Sequence, residues 1–359
     1  MEKLDNIYNQ VIAKENLYRA ASLAQRCRRY RLTSADFNFR LEEEVAMLHR
    51  ELTDRVYRHG AYRLFNVYEP KARLIAAAPF RDRVVHHAVH DIIEPRIDHV
   101  FIYDSYACRR MKGMHRAVDR AQAFLRANEF CLHGDIRKYF PSIDHGILKG
   151  LLRRRIADKG VLWLLDGIID SALSLGGGLP IGNLTSQFFA NLYLNELDYF
   201  VKQRLKMRYY IRYMDDFLVF SGVRPVLLRV KEVLREFLHV NLRLRLHEEK
   251  TQVYKTAKGI KFLGLRLYSN FRRLSTHNVR LFRKRLAYYK FLLENKLINA
   301  REVKDSVRCW VAHSSYADTG GLRFNILKNL LLNDMLMAGL LEDILFCREV
   351  KIKRREVNI

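Results

Sequence analysis

The chain has 359 residues, of which 49% are hydrophobic, a share that is typical of a globular protein with a substantial core in one to three domains. Its 64 Lys and Arg residues outnumber 39 Asp and Glu, which gives a formal net charge of +25. A surface this basic repels itself without an anionic partner, so nucleic acid is favoured over an anionic membrane or a charge that serves only solubility.

The first 60 residues are predicted to form helices. Gly60 is expected to end the segment, and the opening MEKLDNIYNQ contains acidic residues and no apolar core, so no signal peptide is expected. The apolar residues that recur at helical spacing are Leu4, Ile7, Tyr8 and Val11, then Phe37, Leu41, Val45, Leu48 and Leu52.

Short strands are predicted over residues 62–80, where brief runs of alternating residues occur. Residues 78–95 then follow a helical pattern that is predicted to end at Pro95. Basic clusters such as RCRRYR (26–31) and RRR (153–155) are spread along the chain, which indicates an extended channel more than a basic tail.

The stretch FCLHGDIRKYF (130–140) has strand character, with His133 and Asp135 on one face and Asp135 near the end. Pro141 and Ser142 are predicted to open a helix after it. A glycine-rich loop, GGGLPIG (176–182), then leads into a long predicted helix with small residues on its first turns.

Residues 209–220, YYIRYMDDFLVF, form an apolar and aromatic run that only Asp215 and Asp216 interrupt strongly. The pattern predicts a hairpin with both aspartates at its turn and the apolar flanks anchored in a sheet. Aspartate is also a common turn residue, so the pair alone leaves a structural and a catalytic interpretation open.

Asp135 favours the catalytic interpretation. It ends a separate strand, and if the two strands are neighbours, the carboxylates of Asp135, Asp215 and Asp216 converge. Carboxylates held so close repel one another and raise each other's pKa, which divalent cations relieve. Two Mg²⁺ ions about 3.5–4 Å apart are the arrangement that phosphoryl transfer uses.

More β structure is predicted over residues 242–268, and helices after about residue 270, with Val279, Phe282 and Leu286 on one face. The apolar stretch 326–346 is interrupted by charged residues, which predicts a packed amphipathic helix and no membrane span. The five cysteines show no paired spacing and suit reduced thiols in a cytoplasmic protein, not disulfides or a zinc site.

Several stretches, in this order, resemble the conserved blocks of reverse transcriptases of the group II intron and retroelement type. RLIAAAPFRDRVVHHAV and SYACRRMKGMHRAV resemble the finger blocks, and VRCWVAHSSYADTGGLRF is similar to the start of the thumb. Between them lie HGDIRKYFPSIDH, LPIGNLTSQFFANLYL, YYIRYMDDFLVF, HEEKTQV and KFLGLRL. The resemblance covers roughly residues 60–345.

The stretch LPIGNLTSQFFANLYL corresponds to the fourth block of the family, and it indicates which type of reverse transcriptase this chain resembles. Intron and retron enzymes usually have Gln-Gly at its start and Ser-Pro at its end, whereas this chain has Ile181-Gly182 and Ser186-Gln187. That form resembles reverse transcriptases of diversity-generating retroelements, which copy a dedicated template RNA with frequent errors at template adenines. The resemblance implies two Mg²⁺ ions, dNTPs, an RNA/cDNA duplex and a small basic accessory protein that is pentameric in the family.

The resemblance also implies roles for individual residues. Asp135, Asp215 and Asp216 would be the catalytic carboxylates, and the backbone carbonyl of Ile136 would complete one metal site. Phe140 matches the aromatic ring that rejects a 2′-hydroxyl, although an ordinary core aromatic would also fit. The other residues expected near the nucleotide are Lys71 and Arg73 on the triphosphate, Lys250 as a general acid, and Ile181, Gly182 and Gln187 beside template and nucleotide.

Outside the nucleotide site, the Phe-Leu-Gly of residues 262–264 resembles the primer grip, and Trp310 and His313 are expected to be structural. The basic stretch RLFRKR (280–285) is expected to face the duplex.

These assignments predict an α+β right-hand polymerase with an N-terminal helical extension over residues 1–60. The fingers are assigned to 61–128 and 146–200, the palm to 129–145 and 201–270, and the thumb with a basic tail to 271–359. A bacterial or phage-encoded protein of the cytoplasm, without a membrane partner, is expected. The alternatives are an intron-type or retron-type reverse transcriptase, a non-catalytic RNA-binding protein on this scaffold, and a phage-defence polymerase.

Overall fold

The computed structural model describes residues 3–26, 32–68 and 72–333. Helices and strands are mixed over these ranges, which confirms the predicted α+β class. Contacts within the chain define two units, one of Met1–Arg120 with Phe130–Val253 and the other of Ala121–Glu129 with Tyr254–Ile359. The boundaries of fingers, palm and thumb stay a prediction.

Helices make up most of the described chain. Those of the N-terminal half are α1 (Tyr8–Ile12), α2 (Lys14–Ala24), α3 (Leu32–Phe39), α4 (Leu41–Thr53), α5 (Phe80–Ile97), α6 (Met114–Arg126), α7 (His145–Arg155) and α8 (Lys159–Asp170). Those of the C-terminal half are α9 (Leu184–Tyr199), α10 (Arg224–Leu242), α11 (Thr276–Glu294), α12 (Ala300–Ser314) and α13 (Gly320–Asn333).

The strands form three sheets. In chain order they are β1 (Arg63–Val67), β2 (Arg73–Ala77), β3 (Phe130–Asp135), β4 (Tyr210–Tyr213), β5 (Asp216–Ser221), β6 (Gln252–Lys255), β7 (Ile260–Phe262), β8 (Leu265–Leu267) and β9 (Arg272–Leu274). β1 and β2 form an antiparallel hairpin, the central sheet has the order β4-β5-β3-β6, and β7, β8 and β9 form a meander.

The N-terminal helices belong to the core of the first unit, and Asp158 anchors them. Its carboxylate accepts hydrogen bonds from the backbone N–H groups of Gly160 and Val161 at the start of α8, and from those of Ile7 and Tyr8. Burial opposes the charge, but these four donors hold the pKa of Asp158 below its ordinary value. One carboxylate thus caps a helix and fixes the N-terminal segment.

Some predicted boundaries were wrong. The helical pattern from Phe37 to Leu52 is broken at Arg40, whose backbone leaves the helical region, and α4 ends at Thr53, well before Gly60. α5 continues through Pro95 to Ile97, because a proline in the last turn removes only one helical hydrogen bond.

Two predicted helices begin later in the structure than the sequence indicated. Residues 140–142 form a single 3₁₀ turn, and α7 begins only after Asp144, which accepts from the Ile147 N–H at 2.9 Å. The strand β9 also precedes the helix predicted after residue 270.

The central sheet depends on a glycine. Gly134 of β3 lies opposite Phe217 of β5, and a Cβ built on Gly134 would lie 2.1 Å from the Phe217 ring. Any side chain there would displace the ring, so the close approach of the two strands requires glycine.

In the second unit, α11 and α12 pack through aromatic rings. Phe282 and Trp310 stack with 3.8 Å between their centroids, and the Trp310 Nε1–H donates to Asn278 Oδ1 at 3.1 Å. Trp310 is therefore a core residue, as the sequence predicted. The Phe262–Gly264 stretch forms the predicted hairpin between β7 and β8, with positive φ at Leu263 and Gly264.

Several predictions concern membrane spans, segments outside the described residues and free cysteines. None of the helices in the described ranges is long and apolar enough to cross a membrane. Residues 334–346 of the predicted apolar helix, residues 27–31 of one basic cluster and the tail lie outside the described residues. Cys108, Cys131 and Cys309 are free thiols, as predicted for them.

Candidate active site

The central sheet brings the three predicted aspartates to one end of neighbouring strands. Asp135, the last residue of β3, lies directly opposite Asp216, the first residue of β5. Asp215 lies in the turn between β4 and β5, and its backbone carbonyl accepts from the Ile136 N–H at 3.3 Å. The hairpin is as predicted, except that Asp216 belongs to the strand and only Asp215 to the turn.

A buried arginine donates a hydrogen bond to the backbone of this turn. Arg212 of β4 is fully buried, and its guanidinium donates to both carboxylate oxygens of Asp198, at 2.7 and 2.6 Å. Its Nη1 also donates to the Met214 carbonyl at 3.1 Å. Met214 has a φ of 56°, a conformation that costs a non-glycine residue about 1 kcal/mol, so this bond stabilises a strained turn.

The charges of the three aspartates are coupled. Burial, together with the nearby Asp135 and Asp216 carboxylates, raises the pKa of Asp215 to about 6. The Asp215 backbone N–H and the Arg73 guanidinium act in the opposite direction. Asp215 is thus a carboxylate whose negative charge the surrounding protein alone does not fully compensate.

Each of the other two aspartates has a basic partner. Lys250 Nζ donates to Asp135 Oδ1 at 2.7 Å, because a turn at residues 247–250 joins the Asp135 backbone through the His247 N–H. His133 Nε2 lies 2.7 Å from Asp216 Oδ1. In this arrangement, no three His, Cys, Asp or Glu side chains of the described residues gather as a metal site would require.

The donor set nevertheless suits a divalent cation. Carboxylate oxygens are the ligands that Mg²⁺ prefers, and the raised pKa of Asp215 is consistent with a carboxylate that lacks a full counter-charge in the protein alone. The side chains of Asp135 and Asp216 are 23% and 26% exposed, and they would exchange Lys250 and His133 for the ion. The Ile136 carbonyl, which the sequence assigns to the same ion, stays a prediction.

Of the predicted triphosphate contacts, the structure describes Arg73, and of the sugar contacts, Phe140. Arg73 begins β2, is exposed, and is close enough to Asp215 to lower its pKa, whereas Lys71 lies outside the described residues. Phe140 is half-buried beside the Tyr139 ring, and its carbonyl accepts from the Leu179 N–H at 2.8 Å. The glycine-rich loop therefore fixes the backbone that presents Phe140.

The fourth block is joined to β2 by hydrogen bonds. The Ile181 carbonyl accepts from the Ala76 N–H at 3.1 Å, and the Asn183 side chain donates to the Ala76 carbonyl at 3.2 Å. Gly182 has a φ of 116°, and a Cβ there would lie 2.9 Å from Ile75 Cγ2. Gln187 is half-buried on the first turn of α9, whereas Ile181 and Gly182 lie directly against β2.

Three residues of the site were not assigned roles from the sequence. His133 lies two residues before Asp135 on the same face, which was a usable signal for its contact with Asp216. Arg212 is a charge inside an apolar strand, which indicates a buried ion pair. Asn183 carries no comparable signal, because its partners lie about a hundred residues earlier.

A sheet with three aspartates at one end, one of them close to the cationic side chain of Arg73, suits a template-directed nucleotidyltransferase. The right-hand polymerase architecture predicted from the sequence fits it. Residues 68–267 match the family "Reverse transcriptase (RNA-dependent DNA polymerase)". The chain belongs to this family, whose members are RNA-directed DNA polymerases that bind an RNA template and use divalent metal ions.

Similar proteins include Protein YkfC and a group II intron-encoded protein. Protein YkfC of Escherichia coli (strain K12) is 29% identical over 276 residues, which cover 64% of this chain and 72% of YkfC. Group II intron-encoded protein LtrA of Lactococcus lactis subsp. cremoris is 24% identical over 296 residues, or 62% of this chain. The chain spans 49% of LtrA, about half its length.

Among solved structures, apo telomerase from Candida tropicalis is similar, with 10% identity and a TM-score of 0.47. The match covers 61% of this chain and 49% of the telomerase chain.

Proposed function

We propose that this chain is the reverse transcriptase of a diversity-generating retroelement. It would copy a dedicated template RNA into cDNA with frequent errors at template adenines. The observation that carries the proposal is the fourth block, Ile181-Gly182 to Ser186-Gln187, whose backbone is bonded to the finger strand that holds Arg73. A change of residue type in this block would act on the pocket for template base and nucleotide.

Several residues of the chain would bind the metal ions and the triphosphate during phosphoryl transfer. Asp135, Asp215 and Asp216, with the Ile136 carbonyl, would hold two Mg²⁺ ions, which activate the primer 3′-hydroxyl and stabilise the leaving pyrophosphate. Arg73, and by resemblance Lys71, would grip the triphosphate oxygens. Lys250 donates to Asp135 in the structure, and once the ion takes that carboxylate, its ammonium would be free to donate a proton to pyrophosphate.

The proposal includes partners and a location that follow from the resemblance alone. These are dNTPs, an RNA/cDNA duplex, a pentameric basic accessory protein, and the cytoplasm of a bacterium or of a phage-infected cell. The exposed Arg280, Arg283 and Lys284 of α11 and the net charge of +25 support binding to a nucleic acid backbone.

A group II intron-type or retron-type reverse transcriptase is the second candidate, and the similarity to LtrA favours it. Sequencing the cDNA that the purified chain, with its accessory protein, makes on a cognate RNA separates the two. We expect substitutions concentrated at template adenines. Errors distributed evenly over the four template bases would favour the intron type and contradict our proposal.

The fourth block is predicted to control the error rate at template adenines. Replacing Ile181→Gln and Gln187→Pro together gives the residue types usual in intron and retron enzymes, and we expect adenine errors to fall by about tenfold as the pocket tightens. Error rates at the other template bases, in the same reads, are the internal control. An unchanged adenine rate would exclude these positions as its source.

Phe140 is predicted to exclude ribonucleotides. The variant Phe140→Ala is expected to lose about 10- to 100-fold of the preference for dNTP over NTP, because a 2′-hydroxyl would no longer meet the ring. The measurement is the ratio of kcat/KM for dATP and ATP on one primed RNA. Phe130→Ala, a half-buried phenylalanine at the other end of β3, is the matched control. An unchanged ratio would leave Phe140 as a packing residue.

A further inference from the structure

A cavity of about 460 Å³ lies in the first unit between the segment after α4 and the side of α8. This volume is in the range of about 300–1,000 Å³ that small-molecule sites occupy. None of the predicted catalytic or nucleotide-binding residues lines it. Among the residues that do are Arg55, Tyr57, Arg58, His59, Trp163 and Gly167.

The cavity is basic. Arg55 and Arg58 are exposed at its rim, and neither forms an ion pair with any carboxylate in the described part of the chain. The lining residues, all of them described, include no Asp or Glu. Two guanidinium groups without acidic partners suit an anionic ligand, and phosphate oxygens match their planar donors.

The backbone holds Arg55 in an unfavourable conformation. Its φ is 55°, at the position after α4 that glycine usually occupies, and the N–H groups of Val56 and Tyr57 both donate to the Glu51 carbonyl. The Arg55 guanidinium lies 5.8 Å from the Tyr8 ring, and the Tyr8 ring meets Trp163 edge-on at 6.5 Å. An arginine thus occupies a position where glycine would be less strained, and its guanidinium lies over the Tyr8 ring.

One wall suits a flat ring. Trp163 and Gly167 lie four residues apart on α8, so they share one face of the helix. A Cβ built on Gly167 would have no neighbour within 4 Å, so the helix surface beside Trp163 is open. An unpaired base can stack on an indole across such a surface, and each stacked base contributes about 1–3 kcal/mol to binding.

A buried acceptor completes the cavity. His59 Nδ1 donates to the Gly60 carbonyl at 2.7 Å, and in the neutral imidazole this arrangement leaves Nε2 as the acceptor. The side chain is only 2% exposed, and Nε2 has no hydrogen-bond partner among the described residues. A hydroxyl or amine donor of a ligand would satisfy it.

We propose that this cavity binds one nucleotide of single-stranded RNA outside the polymerase site. The base stacks on Trp163 and the flanking phosphates bind Arg55 and Arg58. The cavity accommodates one nucleotide and no base pair, so the bound base is unpaired. A peptide would meet no acidic partner for its own basic groups here. This binding does not depend on the proposed polymerase chemistry.

The test is site-mapped cross-linking on the full-length protein. A short single-stranded RNA with 4-thiouridine at one position is irradiated with the protein, and cross-linked peptides are identified by mass spectrometry. We expect cross-links in residues 55–59 and at Trp163. Arg55→Gln/Arg58→Gln and Gly167→Leu, which fills the open surface, should each lower their yield by about tenfold.

Two controls make the outcome specific. Arg50→Gln removes one guanidinium charge from an exposed position on α4, outside the cavity, and should change the yield less than twofold. Cross-links elsewhere in the chain, and incorporation on a primed RNA, should be unchanged in all variants. If saturating ATP removes the cross-links, the site takes free nucleotides; if only RNA removes them, it takes an RNA chain. Absent cross-links, or a yield that no cavity variant changes, would overturn the proposal.

Discussion

Asp215→Asn is expected to abolish polymerisation, with a loss of about 10³-fold or more in kcat. Asparagine keeps the shape of the side chain but removes the charge that the metal ions and the incoming triphosphate require. The measurement is Mg²⁺-dependent dNTP incorporation on a primed RNA template. Asp36→Asn is the matched control, because Asp36 is 70% exposed and pairs with Arg40 on the surface. Wild-type activity of the Asp215 variant would refute the carboxylate assignment.

The same substitution is expected to stabilise the fold. The pKa of Asp215 is raised from 3.8 to about 6, so its ionised form destabilises the native state by about 3 kcal/mol at neutral pH. Native Asp215 keeps its proton to higher pH than unfolded Asp215 does. Wild-type stability should therefore fall as the pH rises from about 4 to about 6, and this component should be absent in Asp215→Asn.

Denaturant unfolding in EDTA, at both ends of this pH window, measures the effect as the difference between wild type and variant. Added Mg²⁺ should stabilise the wild type and leave the variant unaffected, since bound cations compensate the carboxylates. A variant that is less stable than the wild type at neutral pH would mean that Asp215 is already compensated by protein groups. If Asp215 lowers the free energy of unfolding and is also essential for activity, its presence is explained by function.

The sequence predicted the centre of the site better than its surroundings, for a physical reason. Strand alternation and the apolar flanks around Asp215 and Asp216 determine which way these side chains point, and both are local patterns. The contacts of Asp135 with Lys250, 115 residues away, and of Asn183 with Ala76, 107 residues away, depend on how distant segments pack. No local pattern contains that information, and the resemblance gave a role for Lys250 without its partner.

Helix boundaries failed for a related reason. Pro95 was expected to end α5, but the cost of one lost hydrogen bond in the last turn is small beside the burial of Ile93 and Ile97. Gly60 was expected to end the preceding helical segment, but the chain turns at Arg55 in the left-handed conformation. In both places tertiary contacts outweigh the local preference.

Arg212→Met is expected to destabilise the protein by about 3–5 kcal/mol. The side chains of Arg212 and Asp198 are both 0% exposed, so the variant leaves a buried carboxylate without its counter-ion. Burial opposes the arginine's charge, but Asp198 outweighs it and raises the pKa of Arg212 above its ordinary value. Arg154→Met is the matched control, since Arg154 is 69% exposed in its pair with Glu196 and should contribute less than about 1 kcal/mol.

Adding a second substitution, Asp198→Asn, shows how much of the loss in stability comes from the unpaired charge and how much from lost packing. In Arg212→Met/Asp198→Asn the unpaired charge is gone, and the amide oxygen still accepts from the Tyr210 hydroxyl, which now donates to Asp198 at 2.7 Å. We expect the double variant to recover part of the loss in free energy of unfolding. If it is as unstable as Arg212→Met alone, the arginine stabilises the sheet through packing.

Activity should distinguish the role of Arg212 at the turn from its role in stability. The Met214 carbonyl loses its donor in Arg212→Met, and its strained backbone is then free to relax and move Asp215. At a temperature where both variants are folded, we expect kcat to stay about tenfold or more below the wild type in the single and the double variant, because neither restores this bond. Recovery of kcat with stability in the double variant would show that the turn holds Asp215 without Arg212.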